Sequence, residues 1–285
     1  MIESKYFGGV VLLIAGVMLS ACEKDDTASE QQVQRTFTLS IDAAKGVYKD
    51  DATNRAATRA LTLIEDNLNA SWATTEHVYV QGQLLSDKSY FWFQGSIQPQ
   101  SAGKTTRLNG TISLPEGWTI SIDDAIVKPH VLDLQFPRSG NLDYTGQIGT
   151  FADIAAKYDY AIAESVRFDI VGDHIEGVES ADFVNQQAIV QFRLYDNAAV
   201  TDVPISAKSL TVSAAGLITT GESTGDITIE PASPTNEIWA ALRGITDTAV
   251  TLTATVGDDT YTFTQSGVTF ENGKFYIIDA YLTKQ

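Results

Sequence analysis

The chain is predicted to be all-β, with two β-sandwich domains in tandem and one short helix. Three observations predict this. Short stretches of strict apolar–polar alternation recur from Thr36 almost to the last residue, which is the signature of half-buried strands. Only one stretch, after Thr150, keeps helical spacing. Many short strands at regular intervals, with polar outer faces, describe sandwiches rather than a parallel α/β sheet.

The elements follow in chain order. Lys5 precedes an unbroken apolar run from Gly8 to Leu19, and Leu19-Ser20-Ala21-Cys22 closes it with small residues and the chain's single cysteine. Such a layout reads as a lipoprotein signal, residues 1–21, cut before Cys22, whose thiol is acylated. A plain secretory signal that happens to hold a cysteine and a short transmembrane helix are the alternatives, but the run is short for a bilayer. The exported part is 285 − 21 = 264 residues, room for two β domains.

Glu3 and Lys5 cancel, so the whole net charge of −17 belongs to that exported part. Such an excess argues against nucleic-acid partners and against a polybasic membrane patch. With its cysteine lipidated the chain has no disulfide, and packing and ladder bonds must carry stability. Outer-membrane attachment would come from the lipid, at about 0.8 kcal/mol per buried methylene.

Residues 22–59 are expected to form a tether, a first strand and an accessible loop. Lys24-Asp25-Asp26 resembles the surface-export signal of Bacteroidetes lipoproteins; the alternative is a solvated acidic tether. Arg35–Asp42 alternates Phe37, Leu39 and Ile41 against Thr36, Thr38 and Ser40, a strand with one buried face. Residues 45–59 are polar, with Lys45, Lys49, Arg55 and Arg59 and no apolar period, and read as an accessible loop.

The first domain is expected over 60–178. Val78 and Val80 alternate with polar neighbours, as do Trp118, Ile120 and Ile122, and Leu132, Leu134 and Phe136 up to Pro137. Thr150 precedes Phe151, Ile154, Ala155 and Tyr158, with Asp153 completing a capping-box-like start, so a short helix is predicted to plug the end of a sandwich. Asp169–Asn185 is polar and glycine-containing, and the domain boundary is placed there.

The second domain is expected over 179–285. Ala188, Val190, Phe192 and Leu194 face one way, and Gln191 and Arg193 the other. Val250–Val256 alternates with threonines, turns at Gly257-Asp258-Asp259 and returns as Tyr261 and Phe263, a hairpin signal.

Catalytic chemistry has no positive signal. His77, His130 and His174 lie far apart without metal-ligand spacing, and no nucleophile elbow or phosphate-cradling glycine loop occurs. Asp123-Asp124 and Asp258-Asp259 suit solvated turns far better than a Ca²⁺ site or a glycosidase dyad. No cofactor and no metal are therefore expected. Tyr90-Phe91-Trp92-Phe93 is the densest aromatic cluster, and on a strand Tyr90 and Trp92 share one face while Phe91 and Phe93 share the other. One pair is core. The other is buried under a loop, sits in an interface, or stacks against a sugar as a ligand platform. Trp72 and Trp239 read as core or domain-interface residues.

Thr58-Arg59-Ala60-Leu61-Thr62-Leu63, Leu68-Asn69-Ala70-Ser71-Trp72 and Glu76-His77-Val78-Tyr79-Val80 resemble the fimbrillin-like lipoproteins of the Bacteroidales. So do Phe136-Pro137-Arg138, Asp143-Tyr144-Thr145-Gly146-Gln147, Tyr158-Asp159-Tyr160, the Asn185–Val190 segment, Val268–Lys274 and the closing Tyr281-Leu282-Thr283-Lys284. Each is a weak β signature alone; their order behind a lipoprotein signal makes the likeness specific.

The resemblance implies type V pilus subunits made of two transthyretin-like β-sandwiches and exported as lipidated precursors. It also implies an arginine-specific cut, here at Arg55 or Arg59, that frees the first strand. Phe37, Leu39 and Ile41 would then be the knobs of a removable plug, and a strand of another pilin subunit would refill the groove by strand complementation. Stalk-forming members carry an extended C-terminal donor segment; here Gln285 directly follows a strand, which suits a tip or accessory subunit, or a standing lipoprotein that is never cut. An adhesin in this class would meet a host or bacterial surface glycan or protein. The rival reading is a carbohydrate-binding surface lipoprotein of a glycan uptake system; a lipoprotein hydrolase is a distant third.

Overall fold

The computed structural model describes residues 36–46, 61–64, 67–118, 121–137, 142–198, 201–217 and 224–285. The first half runs β1 (Thr36–Ala44), β2 (Leu61–Ile64), β3 (Asn67–Ala70), β4 (Tyr79–Gln83), β5 (Tyr90–Trp92), β6 (Gln94–Pro99) and β7 (Thr105–Ser113). It continues with α1 (Ile122–Ala125), β8 (Val131–Phe136), α2 (Phe151–Lys157), β9 (Ala161–Val171), β10 (His174–Gly177), β11 (Ala181–Asp182) and β12 (Val184–Asn185). Apart from the β2–β3 ribbon these strands make one ten-stranded sheet, ordered β5-β4-β8-β9-β10-β1-β7-β6, with β11 added to β1 and β12 to β9. A bridge from Val78 to Ile97 ties the approach to β4 onto β6, so the sheet returns on itself and encloses a core.

The second half holds β13 (Ala188–Asp196), β14 (Ser209–Ala215), β15 (Thr224–Ile229), β16 (Glu237–Leu242), β17 (Ile245–Val256), β18 (Asp259–Phe270) and β19 (Phe275–Lys284). They form a seven-stranded sheet, ordered β15-β14-β17-β18-β19-β13-β16, again drawn round by a bridge, Ala207 to Thr235. The chain is thus all-β, two β-sandwiches in tandem. The hairpin at β17–β18 turns at Gly257, whose φ of +60° suits a residue without a side chain.

The two cores are joined by the chain before and within α2. Thr150 caps α2 by accepting a hydrogen bond from Asp153 N at 3.2 Å, while Ile154, Tyr158 and Tyr160 of the first half pack into the second core. Gln147, buried, grips the edge strand β16 twice: it donates to Ala241 O at 2.8 Å and accepts from Ala241 N at 2.7 Å. An amide side chain here does the pairing that a neighbouring strand would do, which keeps that stretch of edge from open pairing.

Three expectations change. The strand expected from Trp118, Ile120 and Ile122 is not found at its described ends: Trp118 sits in a loop and Ile122 opens α1, while Thr119 and Ile120 lie outside the described residues. Asp169–Asn185, where the domain boundary was expected, carries the end of β9 and all of β10, β11 and β12, and the sheets change at its far end, between Asn185 and Ala188. Apart from the buried Asn185, its polar side chains are exposed or partly exposed, which hid the strands. Finally, β13 is buried on both faces, Gln191 included, because the face of Ile189 and Gln191 lies beside Phe275 and Trp239, which stack on one another and pack against Phe151 of α2.

Candidate functional site: the slot of the first strand

β1 occupies an interior position. It pairs antiparallel with β7 over all nine residues, from Thr36 opposite Ser113 to Ala44 opposite Thr105. On its other side it runs parallel to β10 (Leu39 opposite Ile175) and then to β11 (Ala43 opposite Ala181). Such a position requires alternate side chains to fill the core, and Phe37, Leu39, Ile41 and Ala43 are all buried there. Filling the slot with the three large ones stabilises the sheet by roughly 1.5–3 kcal/mol each. β10 shapes the slot through Gly177, where an added Cβ would fall inside contact distance of Ile41 Cβ, Cγ1 and Cδ1. Gly177→Ala should therefore push on β1 and lower stability by about 1–3 kcal/mol in denaturant titration. An unchanged midpoint would mean that Ile41 is loosely seated.

The alternation continues one step beyond β1, and Lys45 is the result. Its side chain is 0% exposed. Nζ lies 2.8 Å from Glu76 Oε1, 2.9 Å from Asp159 Oδ2 and 3.5 Å from Ser71 O. The ammonium also stands over the ring of Phe136, 4.2 Å from its centroid, and 5.1 Å from that of Trp72. Glu76 is held by Ala73 N at 3.0 Å, which fixes one oxygen and leaves the other for Lys45. Asp159, between the two core tyrosines Tyr158 and Tyr160, is buried, and among the described residues neither of its oxygens accepts a properly directed hydrogen bond. Burial raises the Glu76 carboxyl above its ordinary range, against the opposing pull of Lys45. The expectation of an accessible loop from Lys45 onward is corrected at its first residue. The pattern signalled this: Phe37, Leu39, Ile41, Ala43 and Lys45 share one parity, so the lysine points into the core.

Of the site residues expected from sequence, Phe37, Leu39 and Ile41 line one buried face. Cys22, Lys24, Asp25, Asp26, Arg55 and Arg59 lie outside the described residues. Phe91 and Phe93 are core, whereas Tyr90 is 59% exposed and Trp92 half-buried, opposite Gln83 and Gln81 of β4. β5 forms one end of the strand order and is not paired with β1. Trp72 is wholly buried and Trp239 stacks on Phe275. Among the described residues no three His, Cys, Asp or Glu side chains gather as metal ligands. Glu76 and Asp159, together with Lys45, are the chemistry that sequence reading missed.

No protein-family model matches the chain, and no curated protein does. Solved structures resemble it at low identity. A candidate cell adhesion protein from Bacteroides fragilis matches at 12% identity and TM-score 0.41, covering 87% of this chain and 97% of that one. A fimbrial assembly protein from Parabacteroides distasonis matches at 13% and 0.39, covering 86% and 91%. A fimbrial protein from Bacteroides ovatus matches at 10% and 0.34, covering 88% of this chain and 50% of that one. At such identities and TM-scores these likenesses establish no shared activity or partner.

Proposed function

We propose that this chain is a non-enzymatic structural subunit or adhesin of the fimbrillin kind, lipid-anchored at Cys22, displayed on the cell surface, and assembled by exchange of its first strand. One observation carries the reading: the strand nearest the lipidation site is a fully lodged interior strand, joined to the rest of the sheet through a segment that contains Arg55 and Arg59. A cut there turns β1 into a separate peptide and its slot into a site for a strand of another subunit. Ladder bonds from β7 and β10 would supply affinity, and the pockets of Phe37, Leu39 and Ile41 would supply register. Until the cut, β1 covers backbone groups and apolar surface that would otherwise pair at random.

The test is the N-terminus of the protein recovered from intact cells and from any fibres. A free Ala56 or Ala60 is expected in fibres, and the Arg55→Ala, Arg59→Ala double variant should retain lipidated Cys22 and fail to assemble. Wild-type protein that keeps lipidated Cys22 in every fraction would remove strand exchange and leave a standing surface lipoprotein.

A further inference from the structure

We infer that Lys45 and Asp159 are the partners of an intramolecular amide bond, formed with Glu76 as proton carrier, that can fasten β1 covalently to the chain at the start of β9. This goes beyond the function proposed above and does not depend on strand exchange. Three features of the seat point to it. The nucleophile and the electrophile are in contact, with Nζ 2.9 Å from Asp159 Oδ2, and a second carboxylate oxygen, Glu76 Oε1, lies 2.8 Å from the same nitrogen. Asp159 is buried with both oxygens lacking a directed hydrogen bond among the described residues, a cost that an ordinary structural carboxylate avoids. Trp72, wholly buried, and Phe136 flank the amine, so the reacting atoms are screened from the water that would favour hydrolysis.

The step balances without an oxidant or a co-reactant. The ammonium of Lys45 first passes a proton to the Asp159 carboxylate, giving an amine beside a carboxylic acid. The nitrogen lone pair attacks Cγ of Asp159, and Glu76 takes the second proton from nitrogen and delivers it to the departing hydroxyl. The Nζ–Cγ bond forms, one Cγ–O bond breaks, and a water leaves. Burial raises the Glu76 carboxyl above its ordinary range, which suits a group that must take up a proton and release it. Fixed contact between the partners replaces a bimolecular encounter, which is worth many orders of magnitude in effective concentration.

The consequence is a choice of fates for β1. Before condensation the strand can leave once its loop is cut; after condensation it cannot, and a cut at Arg55 or Arg59 no longer separates the lipidated segment from the rest.

Intact-mass spectrometry of the denatured full chain, carrying Cys22→Ala so that no lipid adds mass, tests this. A fraction of the wild-type molecules should be lighter than the sequence by one water, the remainder holding the two partners as an ion pair. Trypsin should yield Thr36–Lys49 joined to Tyr158–Arg167, since an acylated Lys45 is not cut. Lys45→Met and Asp159→Ala should have the full sequence mass, and Glu76→Gln should form the bond far more slowly. A folded wild-type chain at its full sequence mass, or the same water loss in Lys45→Met, overturns the inference while leaving strand exchange to its own test.

Discussion

Measured against wild-type molecules in which Lys45 and Asp159 are still an ion pair, Lys45→Met should cost the chain about 3–5 kcal/mol at neutral pH, because methionine keeps the apolar stem and strips the cation from two buried carboxylates. Urea titration of wild type and variant measures it. The loss should shrink as pH falls, and the sign follows from Glu76. Its folded-state value is already raised, by burial first, with Lys45 opposing and Asp159 adding to the rise. A carboxyl with a raised value contributes stability that is full below its unfolded value of 4.5 and is lost as pH rises through the folded value. Removing Lys45 removes the opposing influence, so the folded value climbs further and the penalty at pH 7 grows. Acidification from pH 7 toward 5 should therefore narrow the gap between variant and wild type. A gap of under 1 kcal/mol at pH 7, or one independent of pH, would mean that the seat is wetter than its burial implies.

The second large effect is expected at the knobs. Phe37→Ala should cost about 3–5 kcal/mol and Leu39→Ala about 2–5 kcal/mol, since each leaves a cavity in the middle of a ten-stranded sheet. Tyr90→Ala, on the exposed face of β5, should stay within about 0.5 kcal/mol. Chemical denaturation of the three variants under one condition gives the comparison. If Leu39→Ala proves as mild as Tyr90→Ala, β1 is a cover strip rather than part of the core.

Much of this architecture was legible because side-chain period and burial coincide. β1, the β17–β18 hairpin and the Thr150-capped helix each have one apolar face and a defined stop, so alternation or helical spacing reveals them. β10, β11 and β12 were missed because strands of two to four residues offer too few positions for a period, and because the glycines and acids of this stretch look like linker. The functional seat was missed for a different reason. Lys45, Glu76 and Asp159 are scattered along the chain and meet only when β1 and the start of β9 are laid in one sheet. A charged residue normally marks an exposed position, and here parity was the better guide. Gln147 is a similar case: nothing in Tyr144-Thr145-Gly146-Gln147 announces an amide that pairs with the edge of β16.

The central claim is that β1 is a replaceable part whose slot persists without it. The most direct measurement is amide hydrogen exchange, read by mass spectrometry, on β7 and β10. The chain is cut after Arg59, freed of its N-terminal fragment in denaturant and refolded, with and without a peptide spanning Arg35–Val47. In the intact chain both strands should be protected. The fraction from which the fragment has separated should lose protection across Thr105–Ser113 and His174–Gly177, keep it in β13 and β19, and regain it when the peptide is added. Protection of β7 that survives loss of β1, or that the peptide fails to restore, would contradict the account.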